Sequence, residues 1–464
     1  MFAGCKYIKS INFFSFKTNS ITNMTNMFRN CSKIEYLDLS SFDTKNVINM
    51  SNMFCGCYQL KNINISNFDT HNVTHMKGMF YECRNLTNLD LSSFNTKKVI
   101  DLSYMFYFCQ GLKSIDLSSF DTRNVINMGN LFTGCENLIT LNISKFITKN
   151  IKNIDKMFYN CQKLKSIDLS FFATDNIKNM ENLFYGCENL TNLNLSNFNT
   201  KNVTDISKMF FGCKKLINLN ITSFNTQNIT DMTKLFYGCE NLINLNLSSF
   251  DTKNVIKMNE MFYNCKKLNN LDLSSFSTKN VKDMGYMFYG CENLIKLNLS
   301  SFNTKNVKNM NSMFFNCKSL LRLNLSSFNT ENSEDMSKLF YGCENLMELN
   351  LSSFDTKNVI NMESMFYDCK KITELDLANF NAKNALNMDS MFYNCYNLKN
   401  INACSLNISK SVNMCKIFYK CENLTYLDLS SFEIYNFDDK NDIFFGYKYF
   451  TDYKKNNNKF FLNI

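Results

Sequence analysis

Seventeen cysteines recur at a constant step of 26 residues, from Cys5, Cys31, Cys57 and Cys83 to Cys395 and Cys421, with no insertion or deletion between them. A chain that repeats so strictly gives each unit only its neighbours to bury its apolar face against. It therefore folds as a stack of equivalent coils rather than around one globular core. The step constrains architecture strongly and function much less.

Counted from its cysteine, each unit reads C-x-x-L-x-x-L-(D/N)-L-S-S-F-(D/N)-T-K-N-V-x-x-M-x-x-M-F-Y-(G/N), and the unit opening at Cys239 shows this with few departures. Leu242, Leu245 and Leu247 end in the alternation of a short strand with one face inside. Val255, Met258, Met261 and Phe262 are spaced like the inward stripe of a short helix or 3-10 turn. Gly238, Gly290 and Gly342, or Asn160 and Asn264 in other units, follow the Met-Phe-Tyr end, where a left-handed residue stops a helix. Thr252 or Asn254 can cap the next helical start.

The expected fold class is thus an α/β solenoid resembling leucine-rich-repeat stacks. It is a right-handed pile of about 17 coils of 26 residues, with one parallel β-sheet and short helical or 3-10 returns. At about 4.8 Å per coil this makes a rod or arc on the order of 80 Å long. Residues 1–432 are assigned to the solenoid. The pattern decays after Phe432, and residues 433–464 are expected to form a degenerate C-terminal cap and polar tail. Met1-Phe2-Ala3-Gly4-Cys5 already reads as the end of a repeat, so the array is expected to begin in mid-coil, as a fragment would. No secretion signal and no run of 18 apolar residues is visible in the sequence.

The repeat explains the 45 Phe and 26 Met. One Phe closes each return (Phe28, Phe54, Phe80) and another lies in the turn after the strand (Phe16, Phe42, Phe68), giving two stacked aromatic spines. Proline is absent, as suits strands that pair on both sides, although an AT-rich coding sequence would also disfavour it. The cysteines show no C-x-x-C step. In-register side chains on parallel strands stand about 4.8 Å apart, beyond the roughly 3.8 Å between Cβ atoms that a disulfide prefers. A buried ladder of reduced thiols packed as small apolar groups is expected. Cys55, Cys404 and Cys415 fall outside it.

The net charge of +9 arises largely from the turn, where Lys45, Lys97, Arg123, Lys149, Lys201, Lys253, Lys279, Lys305, Lys357 and Lys383 share one position. Such a ridge is either a solvated rim or an attractor of anionic polymers. No nucleic-acid motif accompanies it, and no nucleic acid is expected as a partner.

The segment Leu86-Thr87-Asn88-Leu89-Asp90-Leu91 resembles the strand of leucine-rich repeats. The fuller signature F-x-x-C-x-x-L-x-x-L-(D/N)-L-S-x-F-(D/N)-T-x-N-V-x-x-M-x-x-M-F is similar to the 26-residue repeat of BspA-like leucine-rich-repeat surface proteins, over residues 1 to about 446. Phe94 and its equivalents stand where ordinary leucine-rich repeats carry a buried asparagine. The resemblance implies a surface-exposed or secreted, non-enzymatic protein that binds host proteins, matrix proteins or other cells. Relatives of this kind usually carry an export signal and an anchor.

Residues beside the inward leucines face outward and form the natural recognition surface. The position between the last two strand leucines is always Asp or Asn, Asp272 and Asp376 among them. It reads either as a solvated amide ladder or as a polar groove for a peptide or sugar. Variation is more informative. Lys296, Arg322, Glu348 and Glu374 occupy one outward position in consecutive units, and just ahead of them stand Ile217, Ile243, Ile295, Leu321 and Met347, interrupted by Asn269. An apolar stripe edged by charges suits a protein-binding patch, and repeat drift is the competing explanation. Tyr81, Tyr107, Tyr159, Tyr185 and Tyr237 make a second stripe, read as half-buried packing in preference to a carbohydrate platform.

Nothing supports catalysis, a cofactor or a bound metal. His71 and His75 share one unit but show no cysteine or carboxylate partner at the same turn, and no phosphate loop or nucleophile motif occurs. The leading expectation is a monomeric binding or adhesion solenoid at a cell surface or secreted, with a protein partner and a glycan as a further possibility. The alternative is an intracellular scaffold or a silent repeat cassette that is not exported.

Overall fold

The leucine segment forms a strand because its middle residue points inward between two outward polar neighbours, so Leu37 is buried while Tyr36 and Asp38 are exposed. The computed structural model describes residues 1–408 and 412–427, with the backbone of 453–456 and 459–462. The chain divides into two compact units, Met1–Asn228 and Ile229–Ile464.

In the first unit the strands are β1 (Tyr36–Asp38), β2 (Asn62–Asn64), β3 (Ser114–Asp116), β4 (Thr140–Asn142), β5 (Ser166–Asp168), β6 (Asn192–Asn194) and β7 (Asn218–Leu219). The second holds β8 (Asn244–Leu245), β9 (Asn270–Asp272), β10 (Lys296–Asn298), β11 (Arg322–Asn324), β12 (Glu348–Asn350), β13 (Glu374–Asp376), β14 (Asn400–Asn402) and β15 (Tyr426–Leu427). Pairing is parallel and in register at one full repeat, as in Leu37↔Ile63 and Leu323↔Leu349. Two further strands, β16 (Tyr453–Asn456) and β17 (Lys459–Leu462), form an antiparallel pair. The remainder of the cap and tail expected over 433–464 lies outside the described residues.

The returns are not helical, and this corrects the α/β expectation: no helix occurs among the described residues, and the fold is a β-solenoid. Local and inter-coil hydrogen bonds alternate along each return. The N–H groups of Tyr286, Phe288 and Gly290 donate to the carbonyls of Asn311, Met313 and Phe315 in the next coil, at 2.8, 2.9 and 2.7 Å. Those of Met287, Tyr289 and Cys291 close turns onto Met284, Tyr286 and Phe288 at 3.3, 3.2 and 3.1 Å. Left-handed residues separate the turns, Tyr286 at φ 59° and Gly290 at φ 69°. An α-helix would spend most of its donors internally and is about 10 Å wide, so it would stack beside strands about 4.8 Å apart only by bending the array, and it would forgo these bonds to the next coil. Thr252 and Asn254 therefore have no helix to cap. The Thr252 hydroxyl bridges to the next coil instead, accepting from the Ser277 N–H at 2.8 Å and donating to its carbonyl at 2.9 Å.

The described residues form about 14 coils, where 17 were expected. Residues up to Asn12 form no strand, and the coil of Leu86–Leu91 contributes only the single bridge Asn62↔Asn88.

Inside each unit the side chains run as columns. Phe28 to Phe210 stack at 5.5–6.0 Å between ring centroids in the first unit, and Phe236 to Phe418 at 5.4–5.6 Å in the second. The ladder cysteines from Cys31 onward are buried and unbridged. They have a use the repeat pattern does not show, as a thiol donates to a Phe carbonyl one coil back, Cys57 to Phe28 at 3.2 Å and Cys317 to Phe288 at 3.2 Å. Burial pushes these thiols up, to about 12 for Cys187, Cys291 and Cys343.

Candidate interaction surface

The strand carries its side chains alternately in and out, so β10 presents Lys296 and Asn298 to solvent, and Ile295, the residue just ahead of the strand, is exposed beside them. The next coils add Leu321, Arg322 and Asn324, then Met347, Glu348 and Asn350. Backbone bonds hold the apolar column in step, with the Ile295 N–H on the Asn269 carbonyl at 2.8 Å and that of Met347 on Leu321 at 2.9 Å. Ile295, Leu321 and Met347 are 45%, 40% and 48% exposed, which leaves three large apolar side chains in adjacent positions without cover.

The other expected residues fall as follows. Ile243 is half-buried, and Lys296, Glu374, Asp272 and Asp376 are exposed in the second unit. Ile217, 44% exposed, lies in the first unit, where it lines a shallow groove with Asp168, Asn192, Asn194, Asn218 and Asn220. Arg322 and Glu348 form an ion pair at 3.1 Å across β11 and β12, and this pairing of two opposite charges one coil apart is legible from the 26-residue step once the strands are known to be in register.

The Asp and Asn column has a structural duty. The Oδ1 of Asp272 accepts the Ser274 N–H at 3.0 Å and that of Asp376 accepts the Ala378 N–H at 3.1 Å, so the side chain turns the chain out of the strand. The Ser274 N–H, first of all, holds the Asp272 carboxyl below its ordinary range. Asn402 Nδ2 also donates to Asp376 Oδ1 at 2.8 Å, so the ladder is bonded along its length there.

The tyrosine stripe is half-buried, as the sequence suggested. Its rings stack on one another, at 4.6 Å for Tyr81 and Tyr107 and 4.3 Å for Tyr237 and Tyr263. Stacked faces are covered faces, and a sugar ring needs an open one. The histidines separate: His71 Nδ1 lies 2.6 Å from Asp69 Oδ1, whereas His75 Nδ1 lies 2.8 Å from the Thr74 hydroxyl. Asp69 is a carboxylate neighbour that the reading of the repeat overlooked. No cluster of three or more metal-ligating residues occurs among the described residues, and no described helix is long and apolar enough to cross a membrane.

Comparison with known proteins places this geometry. A family model described as "Mycoplasma protein of unknown function, DUF285" matches residues 1–115, 101–218, 204–323, 310–426 and 370–460. A comparison with curated proteins found no match. Among solved structures, the chain is similar to a leucine-rich repeat protein from Bacteroides ovatus at 19% identity, covering 86% of this chain and 80% of that one with a TM-score of 0.37. It is similar to a leucine-rich repeat protein from Eubacterium ventriosum at 16% identity (72% and 89% covered, TM-score 0.38). A leucine-rich cell surface protein from Faecalibacterium prausnitzii is likewise similar, at 16% identity (85% and 79% covered, TM-score 0.28). These superpositions are too distant to carry an argument about function. The overlapping family matches span nearly the whole chain, and with the signature of its coil they identify it as a member of the DUF285 family built from BspA-like leucine-rich repeats.

Proposed function

We propose that this chain is a non-enzymatic binding solenoid that recognises a protein partner through the exposed face of its strands. The observation that carries the reading is the uncovered column Ile295, Leu321 and Met347, edged by Lys296, Arg322, Glu348 and Glu374. Apolar anchors with a charged rim are what a protein interface needs, since burying the anchors supplies affinity and the rim charges select the partner. The surface-protein character of BspA-like repeats makes host proteins, matrix proteins or another cell surface the first partners to try, with adhesion as the consequence. Asp272 and Asp376 lie on the same face and extend the acidic part of the rim.

The test is capture of matrix and host proteins by the full chain, beside a variant carrying Ile295→Thr, Leu321→Thr and Met347→Thr. Exposed substitutions of this kind change stability little. The expected result is a bound protein that the variant fails to hold. Equal capture by both would remove the column from the interface and the proposal with it.

A further inference from the structure

The second unit carries another surface that the strand-face reading does not use. On the turn between strand and return, Lys279 and Lys282 are exposed on one coil and Lys305 and Lys308 on the next. The Lys308 N–H donates to the Lys282 carbonyl at 2.9 Å, so the two coils are held in step there. Between the two lysine columns runs a column of exposed amides, Asn280, Asn306 and Asn332. Each donates its Nδ2 to the preceding coil, to the carbonyls of Lys253, Lys279 and Lys305 at 2.8, 2.8 and 2.9 Å. That bond holds the amide in place through its nitrogen on an exposed residue, so the Oδ1 remains as an acceptor. A shallow groove follows the column, lined by Lys282, Asn306, Lys308, Asn332, Glu334 and Ile360.

We propose that this groove binds a linear acidic polysaccharide, with its acidic groups on Lys279, Lys282, Lys305 and Lys308 and its hydroxyls on the amide oxygens of Asn280, Asn306 and Asn332. The lysines supply attraction along a line, because equivalent residues recur once per coil, about 4.8 Å apart. Lys279 and Lys282 form no ion pair among the described residues. Lys305 and Lys308 meet Glu331 and Glu334 at 3.5 and 2.7 Å, exposed pairs of the weak kind that a multivalent anion displaces. The fixed acceptors decide the class of polymer. A phosphodiester backbone offers them few donors, and among the described residues the groove's lining holds no aromatic side chain on which a base could stack. A polysaccharide brings a hydroxyl donor on nearly every ring beside its carboxylates or sulfates.

The experiment titrates the full chain with a chondroitin sulfate oligosaccharide, a neutral dextran of equal length and a single-stranded oligonucleotide of equal charge. The sulfated chain is expected to bind, to weaken as salt rises, and to outcompete both others. Lys279→Gln with Lys282→Gln is expected to weaken binding about tenfold at an unchanged melting temperature, two exposed charge contacts being worth about that factor. Lys279→Arg with Lys282→Arg is expected to keep it within about threefold, which separates loss of charge from damage to the coil. No binding at low salt, or equal binding by the Gln variant, would overturn the site. Oligonucleotide binding as tight as that of the sulfated chain would overturn the assignment to a polysaccharide.

Discussion

Replacing Thr304 with Val tests the inter-coil bonding directly, because the two side chains have nearly the same shape and differ in the hydroxyl. Thr304 is fully buried. Its Oγ1 accepts the Asn329 N–H at 2.9 Å and donates to the Asn329 carbonyl at 2.8 Å, so a single hydroxyl satisfies both backbone groups of one residue in the next coil. Valine leaves both groups without a partner, at about 1–3 kcal/mol each when water is kept out. Asn329 is half-buried, so water recovers part of this, and about 2 kcal/mol remains. Serine keeps both bonds and loses only a methyl group, about 0.8 kcal/mol. Hydrogen exchange of a peptide containing Asn329, followed by mass spectrometry, reads the difference locally. The Val variant should exchange about thirtyfold faster there than the wild type, with Ser between them. A purely apolar core would rank them the other way, so a Val variant better protected than Ser refutes the reasoning.

Three further outcomes follow from the same columns. A methyl group on Gly290 overlaps Asn264 Oδ1 of the preceding coil and sits at a positive φ of 69°, so Gly290→Ala should cost about 2–3 kcal/mol, of which the left-handed backbone accounts for about 1–2; an Asn264→Gly background should relieve the remainder in a double-mutant cycle. The buried thiols have raised pKa values, about 12 at Cys187, Cys291 and Cys343. An unfolded thiol titrates near about 8.5, so between the two values the folded chain holds more protons; stability is full below about pH 8.5 and falls above it, by up to about 1.4 kcal/mol per pH unit per thiol. Denaturation curves at rising pH should show this steep loss, and alkylation at pH 8 should label exposed Cys404 while sparing the buried ladder. The Arg322 and Glu348 pair is exposed on both sides, so Arg322→Met should cost less than about 1 kcal/mol in thermal melts.

The strands, the phenylalanine spines, the thiol ladder and the left-handed residues Gly238, Gly290 and Gly342 were legible because each follows from one position of one repeat. The returns were not. Spacing such as that of Val255, Met258, Met261 and Phe262 brings side chains to one face in a helix and in successive i to i−3 turns alike. What decides between them is the bond to the next coil, a term absent from the single unit. The second left-handed residue of each return gives no compositional signal either, falling on Glu260, Ser312 and Lys338, at φ 58°, 53° and 56°. Inter-coil bonds hold these residues in a conformation that their own side chains disfavour. On the candidate surface, exposure at Lys296, Arg322 and Glu348 was readable from strand alternation, whereas alternation about Leu297, Leu323 and Leu349 would turn Ile295, Leu321 and Met347 inward, and they are exposed because they lie just ahead of the strands. The contact of His71 with Asp69 was not, because it depends on the path of the turn.

The same bonding restricts where recognition can reside. In the second unit Thr252, Thr278, Thr304, Thr330 and Thr356 each donate to a carbonyl of the next coil, Asn280, Asn306 and Asn332 tie carbonyls of the one before, and thiols from Cys265 to Cys421 close onto phenylalanine carbonyls. A change at any of these positions is felt by two coils, and their identities hardly vary from unit to unit. The apolar side chains of Ile295, Leu321 and Met347 tie no neighbour, although at the same position the Thr425 hydroxyl donates to the Lys399 carbonyl at 3.2 Å; the position runs Ile, Leu, Met, Thr through Thr373, while the one beside it runs Lys, Arg, Glu, Glu through Glu374. Variation at side chains that the stack does not use costs the fold little, which leaves these positions open to recognition. Over these same four coils the outward position of Lys308 varies as well, running Lys308, Glu334, Ile360 and Leu386, while the amide column remains Asn306, Asn332, Asn358 and Asn384. The stacking bonds explain why the amides stay constant, and capture by the variant carrying Ile295→Thr, Leu321→Thr and Met347→Thr decides whether the unbonded apolar column serves a partner.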